Sequence, residues 1–291
     1  MGAIDLPPRV ATGVSLWPKT TVRAGGKASY YAEPESVDAL RVQLAWAEAE
    51  PLPVVILGGG SNVLFRGDLP GLVIHTRLLR GLSLRENILV AGAGESLSGV
   101  AWAACRRGFG GLEWACGIPG TVGGAVAMNA GAYGGDIASV LRSIEWVEAG
   151  ESRQIPASDL SLGYRTSAVR TGALRGAIAS ALFALQEDEA AACLERAREV
   201  LSQRASRLPA GASFGCVFRN PPTGPTAGEL LDRAGCKGFR VGAVRVSDVH
   251  ANVLVNEGSG NSAEVLELIE RMKRRVMERF GVVLHEEVVV Y

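Results

Sequence analysis

Two glycine-rich runs mark places where backbone, not side chain, could do chemistry. The first, Gly58-Gly59-Gly60-Ser61-Asn62, directly follows the apolar Pro53–Leu57, which reads as a short buried strand. Successive N–H groups with no side chains in the way form a concave anion nest, and Ser61 adds a hydroxyl donor. A tight turn is the plainer reading, but three consecutive glycines followed by Ser-Asn exceed what a turn requires. The second run, Cys116-Gly117-Ile118-Pro119-Gly120-Thr121-Val122-Gly123-Gly124-Ala125, lies about 60 residues further on. The P-loop pattern is absent, and the dinucleotide GxGxxG pattern fails because position 63 is Val. Gly92-Ala93-Gly94 fails in the same way at Leu97. Two glycine-rich anion loops suggest one long ligand with a pyrophosphate between two halves, and FAD is such a ligand.

The elements that must position these loops are short and alternate in type. Residues 36–50 read as a helix behind a Ser36 cap, stopped by Pro51 and Pro53. Strands are expected at 53–57, 72–75 and 88–92 and a helix at 97–107, with a β-α-β beginning over 20–75. Strands resume at 144–148 and 177–185, and an amphipathic helix follows 186. The C-terminal part reads as strand 214–218, helix 226–234, strands near 239–246 and 251–256, helix 262–280 and strand 282–290. Thr226 and Asn261, each three residues before a Glu, resemble capping boxes. The basic run Lys273, Arg274, Arg275 and Arg279 reads as a solvated helix end near the negative pole of the dipole.

Composition narrows the function classes. The chain has 291 residues with 30 basic and 30 acidic side chains, so a nucleic-acid-binding basic face is not expected. It carries 37 glycines, nearly twice the usual share of about 7 per cent, and 27 of them precede residue 181. The apolar share of 47% rules out low complexity. Five widely spaced cysteines without a CxxC, and three histidines without HExxH, argue against a disulfide framework or a metal centre. No secretory signal is visible and no run of 18 apolar residues occurs, so a cytoplasmic protein that does not enter a membrane is expected, with a monomer favoured.

The order of its motifs resembles the MurB family, the UDP-N-acetylenolpyruvoylglucosamine reductases. The matching stretches are Thr20–Lys27, Gly58–Leu64, the specific run at 111–135, Gly163-Tyr164-Arg165-Thr166-Ser167, Phe214–Pro221, His250–Asn256 and the terminal Glu286-Glu287-Val288. The resemblance implies an α+β fold. Its FAD-binding region would be of the p-cresol methylhydroxylase/vanillyl-alcohol-oxidase type, with lobes at 1–75 and 76–186 and a substrate domain at 187–291. It also implies non-covalent FAD, NADPH as co-substrate, and reduction of a UDP-linked enolpyruvyl sugar to UDP-N-acetylmuramate during synthesis of peptidoglycan precursors. The cofactor contacts carried over are Gly58 to Asn62, Cys116 to Gly120, Gly123, Gly124 and Asn129.

Three residues carry the implied chemistry. Arg165 matches the family arginine, whose planar guanidinium can fork onto a carboxylate where negative charge develops. Without the family, a surface or ion-paired arginine is the plainer reading. Glu287 matches the C-terminal glutamate; strand alternation over 284–291 would put it and Glu286 on opposite faces. Cys216 departs from the family, which has serine as the proton donor. A thiol, with an ordinary pKa of about 8.5, is the stronger acid and can serve if it stays protonated. Tyr164, Arg219 and Asn220 are the implied substrate contacts, and His250 reads as structural. With only about 100 residues after 186, the chain resembles the shorter family form, which lacks an inserted tyrosine segment over the substrate. A flavin-dependent sugar oxidase of the same superfamily and a non-catalytic UDP-sugar-binding module are the competing readings.

Overall fold

The computed structural model describes residues 6–291; the first five, on which the expected absence of a secretory signal partly rests, lie outside it. The chain divides into two compact units. The first comprises the residues up to Gly13, Ser29–Gly59 and Pro70–Gln203, and the second comprises Val14–Ala28, Gly60–Leu69 and Arg204–Tyr291. Both mix helix with sheet, as the α+β expectation requires. The expected start of the substrate domain at 187 falls inside the first unit.

Two larger sheets organise the first unit, beside two short two-stranded pairs, Gly131–Ala132 with Gly135–Asp136 and Phe109–Gly110 with Gln186–Glu187. One has four strands in the order Val10–Ser15, Lys27–Ala32, Leu69–His75, Val54–Leu57, with the last two parallel and Leu57 opposite His75. Helix α1 (Val37–Ala49) is capped as the sequence suggests, by Ser36 Oγ accepting from the Ala39 amide. It buries Leu40, Leu44 and Ala47 against Leu72 and Ile74. The other sheet is antiparallel, in the order Ser152–Pro156, Leu141–Val147, Ala177–Ala184, Ile88–Gly92, Leu82–Arg85. Helices α2 (Leu97–Arg106) and α3 (Val122–Ala127) share its core with Trp146 and Phe183. Helix α4 (Ala190–Arg207) begins there too, with Cys193 and Ala197 buried.

The second unit is built around helices α5 (Ala227–Arg233) and α6 (Ser262–Phe280) and a three-stranded sheet of Arg240–Val241, Val244–Val246 and Leu254–Asn256. Val265, Leu268, Ile269, Met272 and Val276 form the apolar stripe of α6 and close the core. Only half of each expected capping box forms. Thr226 and Asn261 accept from the amides of Glu229 and Glu264, but the Glu264 carboxylate instead accepts from the Ala243 amide.

Two expected strands are corrected. Residues 214–218 form no ladder: Cys216 and Phe218 make isolated bridges to Val253 and Glu286, with a bend at Val217. Of 282–290, only Val289–Val290 is a strand, and it runs parallel to Val63–Leu64. Alternation records which way side chains face. It does not record whether a neighbouring strand is in register, so bent segments held by single bridges read like strands.

Candidate active site

Within the first unit Gly58 and Gly59, which open the first glycine run, meet the second run. The strand Val54–Leu57 ends at Gly58, where a Cβ would lie 2.6 Å from Thr121 Oγ1; one at Gly59 would lie 2.8 Å from Gly120 Cα. The second run is braced by the start of α2. Ser98 Oγ accepts from the Gly117 amide at 2.8 Å, the Leu97 amide donates to Gly120 O, and the Val122 amide donates to Glu95 O. The amides of Gly123 and Gly124 are spent on Ala93 O and Thr121 Oγ1. Those of Gly59, Gly120 and Thr121 donate to no group among the described residues. Adjoining unspent amides in a cradle that any Cβ would fill suit a pyrophosphate, so the residues present fit FAD. Cys116 is fully buried, with its thiol in the core against Cys105, so only its backbone could face a ligand. Gly59→Ala is expected to force the loops apart and cut flavin retention at least tenfold, read from the absorbance ratio at 450 and 280 nm of purified protein (about 1.4 kcal/mol per decade).

Asn129, at the end of α3, is buried and its amide is committed to protein. Nδ2 donates to Gly163 O at 2.9 Å and Oδ1 accepts from the Ala138 amide at 2.9 Å. Gly163 and Thr166 exchange two backbone hydrogen bonds, of 3.1 and 3.2 Å, closing a hairpin with Tyr164 and Arg165 at its tip. Arg165 takes a left-handed backbone conformation (φ +55°) and its guanidinium carbon lies 5.7 Å from the centre of the Tyr164 ring. Tyr164 is 60% exposed.

In the second unit the segment Cys216–Arg219 is held on two sides. The Val217 amide donates to Asn252 O, while the Asn252 side chain clamps both the amide and the carbonyl of Phe218, at 3.0 and 2.8 Å. On the other side the Glu287 amide donates to Val217 O at 2.7 Å and the Arg219 amide to His285 O. Cys216 is the one cysteine of the five that is not buried. Arg219 Nε is buried and has no hydrogen-bond partner among the described residues. Asn220 Oδ1 accepts from the Ala227 amide and so anchors the start of α5. The Glu286 carboxylate is bonded to Lys273 at 2.9 Å. Burial works against its charge, but that bond and a backbone bond outweigh it and hold Glu286 below the usual carboxylate range. Asn62 Nδ2 donates to Glu287 O at 3.1 Å.

Sequence reasoning missed Asn252, Asn256 and the cluster Tyr31–Glu33–His75–Arg77. Asn256 bonds Val22 O and Gly260 O and accepts from the Gly260 amide. The Tyr31 hydroxyl lies 2.6 Å from both Glu33 Oε1 and His75 Nδ1, and Arg77 forks onto Glu33. The available signal was a polar residue inside an apolar run, as in Ala251–Asn256.

The remaining candidates behave as structure. Burial raises the thiols of Cys193 and Cys236 to about 11. Glu113, Asp188 and Cys193 cluster, but Arg196 already pairs with both carboxylates. His250 Nδ1 accepts from the Asn252 amide, and burial, aided by Lys237, lowers its pKa. The fold therefore holds neutral imidazole. Its stabilising share is present above the unfolded histidine value of about 6.5 and is lost as pH falls below it. Melting temperature is expected to drop between pH 7 and pH 5, and to drop less in His250→Gln, as followed by thermal denaturation at the two pH values.

Comparison with known proteins covers both units. A model of the C-terminal domain of UDP-N-acetylenolpyruvoylglucosamine reductase matches residues 207–291, and a model of an FAD binding domain matches residues 28–155. The UDP-N-acetylenolpyruvoylglucosamine reductase of a Synechococcus species is 43% identical over 286 residues, spanning 96% of this chain and 90% of that one. The enzyme of Gloeobacter violaceus is 40% identical over 281 residues, spanning 95% and 94%. The crystal structure of the reductase from Thermus caldophilus matches with a TM-score of 0.83 at 35% identity, covering 97% of this chain and 99% of that one.

Proposed function

Because this chain belongs to the UDP-N-acetylenolpyruvoylglucosamine reductase family, we propose that it reduces the enolpyruvyl group of UDP-N-acetylglucosamine enolpyruvate at the expense of NADPH, giving UDP-N-acetylmuramate for peptidoglycan synthesis. The observation that carries the reading is the meeting of Gly58 and Gly59 with the second glycine run, with the Gly59, Gly120 and Thr121 amides unspent, inside the span that matches an FAD binding domain. Those amides would hold the pyrophosphate. FAD held there would supply the hydride chemistry between NADPH and the enolpyruvyl double bond.

The chain's own residues do the rest. Hydride addition at one carbon leaves an electron pair on its neighbour, beside the substrate carboxylate. Arg165 forks onto that carboxylate and stabilises the charge spreading into it. Cys216 Sγ–H gives its proton to the electron-rich carbon, and the thiolate regains a proton from solvent before the next turnover. Glu287 orients that exchange; its neighbour Glu286 is already spent on Lys273. Arg219, with Nε buried and unspent, suits a phosphate of the UDP moiety. Among the described residues no helix is long and apolar enough to cross a membrane. A monomer working in the cytoplasm is part of the same proposal. The test is NADPH consumption by purified protein: it should require the enolpyruvyl UDP-sugar and yield one UDP-N-acetylmuramate, identified by mass, per NADPH. Consumption unaffected by that sugar would overturn the reading.

A further inference from the structure

We propose that Asn129 is a positioning residue for this reaction, holding the hairpin that presents Arg165 at a fixed offset from the glycine cradle; the inference rests on the role given to Arg165 above. The Gly163 carbonyl accepts twice, from the Thr166 amide across the hairpin and from Asn129 Nδ2 at 2.9 Å. Asn129 Oδ1 is fixed in turn by the Ala138 amide. Ser167 makes a second tie two residues beyond Arg165: its hydroxyl donates to Ala127 O at 2.6 Å and accepts from the Arg170 amide at 3.1 Å.

Both ties reach the C-terminal end of α3. The other end of that helix is capped by Thr121 and adjoins Gly120, whose amide belongs to the cradle. A six-residue helix spans only about 9 Å. It therefore links the loop that fits the pyrophosphate to the hairpin tip as one rigid piece, all within the first unit. The backbone of Asn129 lies at φ +40°, in a region asparagine tolerates and most residues avoid. The residue type is thus suited both to the turn and to the two-sided grip. With its side chain satisfied by Gly163 and Ala138, Asn129 acts on the reaction through Arg165, not by touching a ligand.

The test compares Asn129→Gly and Asn129→Asp holoenzymes with Arg165→Ala. Glycine keeps the left-handed turn and deletes the grip. Aspartate keeps the acceptor for Ala138 but turns an oxygen toward Gly163 O and toward Asp136 Oδ2, to which Asn129 Nδ2 also donates at 3.4 Å. Both are expected to keep flavin and to be bleached by NADPH within about twofold of the parent. Recolouring by the enolpyruvyl UDP-sugar should slow about 10- to 100-fold, because small misplacement of a charge-stabilising group is costly. Amide exchange at Thr166 should accelerate while the Leu141–Val147 strand stays protected. In the Arg165→Ala background, adding Asn129→Gly should cost less than about twofold further, the non-additivity of residues acting through one group. Full additivity would overturn the proposal. So would wild-type recolouring in both Asn129 variants while Arg165→Ala is impaired, or loss of flavin from both. Wild-type recolouring in Arg165→Ala itself would instead overturn the role given to Arg165.

Discussion

Cys216→Ala holoenzyme is expected to be bleached by NADPH at close to the wild-type rate, yet to regain colour with the enolpyruvyl UDP-sugar about 10³-fold more slowly. A positioned general acid contributes roughly 10² to 10⁴, and alanine removes the proton while leaving the neighbouring chain intact. Cys216→Ser should stay within about tenfold of wild type, because a hydroxyl can stand in the same place. The other four thiols are buried, whereas Cys216 alone keeps partial exposure. Its segment is pinned by Asn252 on one side and by the Glu287 amide on the other. Stopped-flow absorbance of the two half-reactions measures both effects in one experiment. Wild-type recolouring in the alanine variant would remove Cys216 from the chemistry.

Arg165→Ala is expected to lose about 10² to 10³ in the same recolouring step, the range seen when a charge-stabilising donor is deleted. Arg165→Lys should recover part of that loss, since an ammonium carries the charge but cannot fork onto a carboxylate. The left-handed backbone of Arg165, at the tip of a hairpin closed by two hydrogen bonds, fixes the origin of the side chain. The ring of Tyr164, 5.7 Å away, flanks the guanidinium. If kcat holds while KM rises, Arg165 acts in binding alone; an equal fall in kcat and kcat/KM places the interaction in the transition state.

Much of the fold was legible where local chemistry decides it. Ser36, Thr226 and Asn261 each cap the helix they were expected to start, and Ile88–Gly92 is a strand with the bounds its apolar run suggests. The glycine runs were legible as two loops around one pyrophosphate, but not which residues of each would touch. Nothing in the order of residues says that Gly59 must come against Gly120. The segments around Cys216 and Glu287 were read as strands, and the bend at Val217 shows why pattern was not enough: single bridges and side-chain clamps hold them in place of a ladder. The discontinuity of the second unit was hidden for a similar reason. Val22, Ala24 and Leu64 join the core of α5 and α6, and a buried apolar residue looks the same whichever core it enters. The resemblance implies a cofactor contact for Asn129; in the structure its side-chain amide serves Gly163 and Ala138.

The most direct test uses the purified holoenzyme without oxygen. One equivalent of NADPH should bleach the yellow absorbance, and one equivalent of UDP-N-acetylglucosamine enolpyruvate should then restore it with formation of UDP-N-acetylmuramate. Colour that returns only when oxygen is admitted, or protein that binds the UDP-sugar but carries no flavin, would contradict the account.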